Sequence, residues 1–316
     1  MSERADMLAK VWPRLGLLTP ILALGLEPER ELTARVGLAV KVRGRGGAYM
    51  LKAVACEPPV HGEGDDGRDE RRAGSLLHEA RVLQALKPCG VRLYVAHGHG
   101  ASLVWLLTRW ITGDDARARS RQLLGGAPPT RARQRFLDLC IAACARLEDL
   151  RRCGWLHGDQ QPRHFLVDQH DRVHLVDYEL AVRIDDPSPA YGGALVHYVS
   201  PETAREMLHE SRTIPLELTS EIYSFGAVLF MLYAGAPPTD YGRAQTKQQR
   251  LAAIAAGNLK TLADAGAPPF GPFEAIVARC LRPEPADRWA SLAELGAALA
   301  AARDQLRPSE RGERRG

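Results

Sequence analysis

Residues 155–181 read WLHGDQQPRHFLVDQHDRVHLVDYELA. Two short runs in this stretch, Phe165–Asp168 and Val173–Val176, are rich in aromatic and β-branched residues, and the polar residues between them predict a hairpin turn. Asp159 precedes the first predicted strand and Asp177 follows the second. Because an antiparallel hairpin brings these two ends to the same side, the two carboxylates are expected to face one cleft. Such carboxylates repel each other without a cation between them, so the pattern indicates a magnesium-nucleotide site.

The composition is that of an ordinary soluble globular protein. The chain has 316 residues, of which 45% are hydrophobic and 25% are charged, enough for one large domain or two lobes. A net charge of +4 is too small to indicate a nucleic-acid partner. The charged N-terminus lacks the apolar core of a signal peptide, and no apolar run reaches the roughly 18 residues of a membrane helix. We therefore expect no membrane segment and a cytoplasmic location.

A lysine and a glutamate stand out in the N-terminal third. Lys52 lies among apolar residues in a predicted strand, Tyr49–Val54, where a lysine normally has a partner. Glu79 lies in Ser75–Leu86, whose apolar residues recur at the spacing of a helix. For each residue a simpler interpretation stays open: a lysine at a sheet edge that reaches water, and a glutamate on a solvated helix face.

The rest of this third predicts a small meandering sheet. Leu17–Leu26 and Leu32–Val42 are apolar enough for strands, and the charged residues Glu27–Glu31 between them predict a turn. Cys56–Gly74 is polar and rich in glycine, which predicts a loop. Two further strands are predicted from residue 91 to 97 and from residue 102 to 108.

The remaining two-thirds of the chain is predicted to be mainly helical. Asp114–Leu124 reads as a short basic helix, and Thr130–Cys153 as a long amphipathic one. Glu221–Leu232 is apolar all round, which indicates a helix buried in the centre of its domain. Arginines recur between Arg117 and Arg135. Such a run is either a basic docking surface or, more often, a solvated face.

Five groups of residues give these patterns a family resemblance. His157–Asp159 and Val176–Glu179 resemble the catalytic loop and the metal-binding motif of the protein-kinase superfamily. His197–Glu202 resembles the end of the activation segment of these kinases. Glu221–Leu232 resembles the buried helix that follows, and Leu281–Arg288 resembles their late arginine motif.

The resemblance covers residues 17–301 and is strongest to bacterial Ser/Thr protein kinases. It implies an α+β, two-lobed protein-kinase-like fold, with a small β-rich N-lobe that carries one helix and a larger, mainly helical C-lobe. Residues 1–112 would form the N-lobe and hinge, and residues 113–306 the C-lobe. Residues 307–316 would form a basic disordered tail.

The resemblance also implies a role for each matching residue. Lys52, held by Glu79, would contact the α- and β-phosphates of ATP. Asp159 would orient the acceptor hydroxyl, and Asp177 would hold Mg²⁺ or Mn²⁺. The hinge would bind adenine through a gatekeeper residue and the backbone groups that follow it, namely Thr108, Arg109, Trp110 and Ile111.

Three departures from the kinase pattern fall in this site. Gln161 replaces a lysine and is expected to lie in the cofactor site. His164 replaces a metal-binding asparagine, and Glu179 replaces a glycine. His164 and Glu179 are therefore predicted to join Asp177 as metal ligands, and a nitrogen ligand is expected to favour Mn²⁺ over Mg²⁺.

Further departures lie around the site. The glycine-rich loop over the phosphates is reduced to Gly25, and Leu195 stands in place of the activation-segment threonine. Glu221 replaces the aspartate that braces the backbone of the catalytic loop in this family.

These observations favour an ATP-dependent phosphotransferase that acts on Ser or Thr of a protein or peptide, with a dedicated partner that helps to position the acceptor. A pseudokinase that binds nucleotide or acts as a scaffold is the main alternative. A small-molecule kinase is a weaker one. The acid after the metal-binding aspartate also resembles the kinase-like domains of lanthipeptide synthetases, which modify a peptide.

Overall fold

The computed structural model describes residues 25–32, 37–55, 68–100, 103–125, 129–186, 195–209, 211 and 214–306. The chain divides into two compact units, Met1–Ile111 and Thr112–Gly316. In the described residues, the first holds a five-stranded sheet and one long helix, and the second is mainly helical with two small sheets. The predicted α+β class, with a β-rich N-terminal part and a mainly helical C-terminal part, is confirmed. The predicted tail, residues 307–316, lies outside the described residues.

The sheet of the N-terminal unit is antiparallel throughout. Its strands are β1 Glu27–Leu32, β2 Leu38–Gly44, β3 Gly47–Ala55, β4 Tyr94–His99 and β5 Leu103–Arg109. They lie in the order β1-β2-β3-β5-β4, so that β3 is the central strand. Val40, Leu51 and Leu107 are buried together against one face of the sheet. Because β3 is central, Lys52 does not lie at a sheet edge.

The charged segment Glu27–Glu31, predicted as a turn, is instead part of the edge strand β1. Two features allow a strand to form in this charged, proline-containing segment. Glu29 forms a 2.8 Å ion pair with Lys41 on β2 and a second ion pair with Arg43. Pro28 is buried beside a bulge in the pairing of β1 with β2, a position where a missing N–H is tolerated. Residues 17–24 of the predicted first strand lie outside the described residues.

Helix α1, Arg68–Ala85, packs against β3 and β5. It begins seven residues before the predicted start at Ser75, so the last part of the predicted loop is helical. Its inward face carries Leu76, Ala80 and Leu83, all buried, at the three- and four-residue spacing of one helix side. Glu79 lies on this same buried side, next to Ala80.

The C-terminal unit is built around helices. Its α-helices are α2 Ala116–Gly125, α3 Pro129–Arg152, α4 Pro201–Leu208, α5 Leu218–Ala234, α6 Lys247–Ala255, α7 Gly271–Cys280 and α8 Leu292–Gln305. Helix α5 is buried along nearly its whole length, as its all-round hydrophobicity predicts. Phe136 on α3 packs against Tyr233 on α5 and Phe273 on α7, with ring centroids 5.4 and 5.2 Å apart. Among the helices that the structure describes, none is long and apolar enough to cross a membrane.

The short strands that the structure describes in the C-terminal unit include the two strands of the predicted hairpin. They are β6 Gly113–Asp115, β7 Trp155–Leu156, β8 Phe165–Asp168, β9 Val173–Leu175 and β10 Val182–Arg183. Strands β8 and β9 pair antiparallel, and β9 ends one residue earlier than predicted. The predicted helix start at Asp114 is wrong, because β6 pairs with β8 there. Asp115 then caps α2 by accepting a 2.8 Å hydrogen bond from the Ala118 N–H.

A buried ion pair ties the start of α4 to the loop before α8. Arg288 donates from both terminal nitrogens to the two carboxylate oxygens of Glu202, at 2.7 and 2.8 Å. It also donates to three backbone carbonyls, those of Arg282, Thr219 and Pro283. These carbonyls satisfy the rest of the guanidinium, as a buried charge requires.

Candidate active site

The N-terminal unit brings Lys52 and Glu79 into contact. The Lys52 ammonium lies 2.8 Å from a Glu79 carboxylate oxygen. The lysine side chain is 27% exposed and the glutamate side chain 3%, so the alternative of a solvated glutamate is wrong. One side of the lysine therefore keeps access to solvent while the buried carboxylate fixes its position.

The segment predicted to bind adenine runs from the end of β5 to the end of this unit. The Arg109 N–H donates to Leu93 O at 2.8 Å and the Trp110 N–H donates to Ala48 O at 3.0 Å. For the Ile111 N–H, the described residues offer no backbone acceptor. Of the three residues whose backbone groups are predicted to contact adenine, Ile111 is thus the one whose N–H has no backbone acceptor in the described part of the chain, while Thr108 is half-buried within β5.

The connection between β1 and β2 contains a glycine that the sequence analysis missed. This connection runs from residue 33 to Gly37, and its residues 33–36 lie outside the described part. Gly37 has φ +64°, and a Cβ there would lie 2.3 Å from Ala53 O on β3. Only glycine fits both the conformation and the close approach. The predicted remnant Gly25 lies before β1 instead of in this connection.

In the C-terminal unit, Asp159 is held in a defined orientation although it lies in a loop. The Gln161 side chain donates to Asp159 Oδ2 at 3.0 Å, and the residue is only 5% exposed. The other carboxylate oxygen, Oδ1, is buried and accepts no hydrogen bond of normal geometry from the described residues, although the nearby Leu195 N–H acts on the carboxyl group and lowers its pKa. Burial is the main cause that raises the pKa of Asp159, and the nearby charge of His164 acts in the opposite direction.

The backbone of the loop that carries Asp159 is held in place by the side chains of Glu221 and His157. Both oxygens of the buried Glu221 accept hydrogen bonds, from the His157 N–H and the Gly158 N–H, at 2.9 Å each. The longer glutamate therefore serves where the kinase pattern has an aspartate. His157 adds a second brace, because its Nε2 contacts Val176 O at 3.1 Å and its Nδ1 accepts from the Asp159 N–H at 3.3 Å.

Burial fixes the state of His157. Desolvation lowers its pKa to about 3, so the ring is neutral, with Nε2 as the donor and Nδ1 as the acceptor. This histidine links the loop that carries Asp159 to the residue just before Asp177. From the sequence, His157 is recognisable only as part of the His157–Asp159 motif, because its bracing role depends on burial.

His164 lies between the carboxylates of Asp159 and Asp177. Its Nδ1 donates to Asp159 O at 2.8 Å, and its Nε2 lies 3.2 Å from Asp177 Oδ2. Burial lowers the pKa of His164, but the hydrogen bond and charge of Asp177 outweigh burial, and the net shift is upward. A protonated ring at this position supplies the cation that two neighbouring acids require.

Asp177 and Glu179 differ in their surroundings. Asp177 has φ +70°, in the left-handed region that aspartate tolerates better than most residues, and its side chain is 28% exposed. Glu179 lies in the following turn and is half-buried. The described residues contain no group of three His, Cys, Asp or Glu side chains that could hold a metal. The structure thus brings His164 and Asp177 together, but it does not gather Glu179 with them.

The pair nevertheless fits a divalent cation as two of its ligands. Two adjacent ligands of an octahedral cation with bonds of about 2.1 Å lie roughly 3 Å apart, close to the 3.2 Å between His164 Nε2 and Asp177 Oδ2. Because Nδ1 donates to a backbone oxygen, Nε2 is the nitrogen left for a metal once it loses its proton. Mg²⁺ and Mn²⁺ commonly take their remaining ligands from phosphates and water.

Comparison with known proteins assigns the class. A family model for protein tyrosine and serine/threonine kinases matches residues 65–297, well over half of the chain. The chain therefore belongs to this kinase family. The match includes Glu79, the braced loop around Asp159, the His164–Asp177 pair and the Glu202–Arg288 ion pair.

Several relatives are bacterial kinases. A probable serine/threonine-protein kinase of Corynebacterium efficiens is 25% identical over 239 residues, which cover 73% of this chain and 33% of that protein. The serine/threonine-protein kinase PknD of Mycobacterium tuberculosis is 29% identical over 210 residues, or 64% of this chain and 28% of that protein. PknB of Mycobacterium leprae is 29% identical over 118 residues, which cover 36% of this chain and 17% of that protein. The chain spans a third or less of the length of these relatives.

Proposed function

We propose that the protein is an ATP-dependent phosphotransferase that phosphorylates Ser or Thr hydroxyl groups of a protein or peptide. The observation that carries this proposal is the Asp159 carboxylate. One of its oxygens is held by Gln161, while the other is buried and accepts no hydrogen bond of normal geometry from the described residues. A buried acceptor left open is costly, and an acceptor hydroxyl would satisfy it.

The transfer step then uses this oxygen. The hydroxyl hydrogen-bonds to Asp159 Oδ1, and its oxygen forms a bond to the γ-phosphorus of ATP. The bond from this phosphorus to the β–γ bridging oxygen breaks, ADP leaves, and the hydroxyl proton passes to Asp159 and from there to water. The raised pKa of Asp159 is consistent with a carboxylate that takes up a proton.

Other residues would bind and orient the nucleotide. Lys52, held by Glu79, would contact its phosphates, and the Ile111 N–H would donate a hydrogen bond to adenine. A bound Mg²⁺ or Mn²⁺ neutralises charge on the phosphates, and Asp177 with His164 would hold it. Gln161 is engaged with Asp159, which supports a positioning role for its amide beside the cofactor contact predicted from the sequence.

Labelled ATP tests this function. The protein is incubated with ATP, Mg²⁺ or Mn²⁺ and extract from its own source, and transfer to protein is measured. Asp159→Asn keeps the size of the side chain but removes the proton acceptor, so it should reduce transfer by at least about a hundredfold. Asp264→Asn, at an exposed position in a loop, is the matched control and should leave transfer unchanged. Equal activity of the Asp159→Asn variant and the control would refute the proposal.

A pseudokinase that binds nucleotide and regulates a partner is the second candidate, and His164 favours it. A protonated His164 between Asp159 and Asp177 already supplies the positive charge that a metal would bring. In that case ATP should raise the melting temperature equally well with and without a divalent cation, and no transfer to protein should occur. Metal-dependent stabilisation together with transfer would exclude this candidate. A small-molecule acceptor would show as transfer to a soluble compound of the extract and not to protein.

A further inference from the structure

A small pocket in the C-terminal unit contains none of the candidate active-site residues. Its apolar floor consists of Leu123 on α2, Leu139 on α3 and Val167 on β8, all buried in the fold. The cavity has a volume of about 180 Å³, below the roughly 300–1,000 Å³ of small-molecule sites. Its size therefore suits one side chain of a partner and not a nucleotide or a cofactor.

The rim of this pocket is charged in a regular way. Each helix places an arginine four residues before the floor leucine, Arg119 on α2 and Arg135 on α3, so arginine and leucine share a helix face. Two acids complete the rim, Asp138 on α3 and Asp171 in the β8–β9 turn.

The acids of the rim are already neutralised inside the protein. Arg119 forms an ion pair with Asp171, and Arg303 on α8 lies 3.2 Å from Asp138. Arg135 is exposed, and the described residues place no carboxylate within ion-pair distance of it. Arg131, one helical turn before Arg135, is exposed in the same way. Arg135 on the rim and Arg131 one helical turn before it are thus two positive charges that no carboxylate of the described residues neutralises.

We propose that this pocket docks an acidic segment of a substrate protein, with an aliphatic side chain in the cavity and Asp or Glu carboxylates paired with Arg131 and Arg135. Charge complementarity selects this occupant. Residues 307–316 of the chain itself do not match it, because they carry four arginines against two glutamates and no aliphatic side chain larger than proline. That the docked protein is a substrate rests on the function proposed above, whereas the docking itself does not.

Direct binding tests the proposal. The probe is a fluorescein-labelled peptide with one central leucine flanked on both sides by glutamates, and its anisotropy is measured against the full chain. We expect saturable binding that weakens as salt is added. Replacing the leucine by glycine, or the glutamates by lysines, should weaken binding at least about tenfold. An unlabelled peptide of residues 307–316 should not compete.

Protein variants assign the binding to this pocket. Arg135→Glu should weaken binding at least about tenfold, and Arg135→Lys only a few-fold, because the lysine keeps the charge. Arg146→Glu is the matched control: it is an exposed arginine on the same helix, about 16 Å further along the axis. Equal losses for Arg135→Glu and Arg146→Glu, tight binding of the lysine peptide, or no saturable binding would each overturn the proposal.

A further variant separates docking from catalysis. Asp159→Asn should bind the peptide as the unchanged protein does, because Asp159 does not line the pocket. Peptide binding without phosphoryl transfer would leave the docking site standing and remove only its link to a substrate. Phosphoryl transfer without peptide binding would remove the docking site alone.

Discussion

At the scale of single residues, Lys52 gives a direct test of nucleotide binding. Lys52→Met keeps most of the aliphatic stem, whereas the charge beside Glu79 is lost. ATP with Mg²⁺ or Mn²⁺ should raise the melting temperature of the unchanged protein, since a ligand of the folded state alone stabilises it. The variant should lose most of that rise. Lys87→Met, an exposed lysine of the same unit, should keep it, and an undiminished rise in Lys52→Met would show that this lysine does not contact the phosphates.

His164 gives a second test at this scale. If Nε2 ligates the cation, Mn²⁺ should support more transfer than Mg²⁺, since imidazole nitrogen is a poor ligand for Mg²⁺. His164→Asn should shrink that preference, because an amide oxygen suits both ions. Binding of Mn²⁺ by the protein with ATP, followed by electron paramagnetic resonance, gives a readout that does not need turnover. An unchanged metal preference and an unchanged Mn²⁺ spectrum in the variant would remove His164 from the ligand set.

At the scale of elements, two glycines should respond to alanine in opposite directions. Gly37→Ala places a Cβ 2.3 Å from Ala53 O at φ +64°, so it should lower the free energy of unfolding by about 1–3 kcal/mol. Gly74 lies inside α1, and a Cβ there meets nothing within 4 Å. Gly74→Ala should therefore raise the free energy of unfolding by about 0.5–1 kcal/mol. Urea unfolding measures both, and a Gly37→Ala protein as stable as the parent would contradict the steric argument.

The ion pair between α4 and the loop before α8 predicts a pH dependence. Burial raises the pKa of Glu202, but its hydrogen bonds with Arg288 lower it more, and the net shift is downward. Because the pKa of Glu202 is lowered in the folded state, its ion pair contributes fully to stability above pH 4.5, the pKa of an unperturbed glutamate. This contribution is lost as the pH falls through the pKa in the folded state.

Glu202→Gln should therefore cost roughly 3 kcal/mol near neutral pH, since Arg288 is left buried without its carboxylate. The difference between the variant and the parent should shrink as the pH falls below 4.5. Urea unfolding at a series of pH values measures it. Glu284→Gln, at an exposed position in the loop before α8, should have the same free energy of unfolding as the parent at every pH. A difference for Glu202→Gln that does not change with pH would contradict the assignment of the pH dependence to this ion pair.

Secondary-structure elements were predicted correctly from the sequence where neighbouring residues alone determine them. The β8–β9 hairpin was predicted to within one residue because apolar runs bound a polar turn there. Strand β1 was not, because its charges are offset by Lys41 and Arg43 on a neighbouring strand, which a local pattern does not contain. In the site, the pairing of Lys52 with Glu79 followed from the family resemblance, and the expectation that Asp159 and Asp177 lie near each other followed from the hairpin. The Gln161–Asp159 hydrogen bond and the neutral brace of His157 did not, since side-chain orientation and burial decide them.

At the scale of the whole molecule, a weak acceptor site and a docking pocket make one prediction together. Gln161 is a neutral amide engaged with Asp159, where the kinase pattern has a lysine, and a neutral group stabilises transferring charge less well. We therefore expect poor turnover of generic basic peptides, whose charge also opposes Arg131 and Arg135. A partner bound at the pocket would instead present its hydroxyl at a high effective concentration.

Fused peptide substrates measure how much binding at the pocket lowers the KM for an attached acceptor. One peptide joins a Ser-containing acceptor to the acidic leucine segment through flexible linkers of increasing length, and a second carries the same acceptor with a lysine segment. The first should have a KM at least about tenfold lower with an unchanged kcat, and the gain should pass through a maximum as the linker lengthens. Arg135→Glu should abolish the difference between the two peptides, whereas Arg146→Glu should preserve it. Vigorous turnover of generic basic peptides, or a difference that survives Arg135→Glu, would show that the acceptor is chosen at the catalytic loop and not at the pocket.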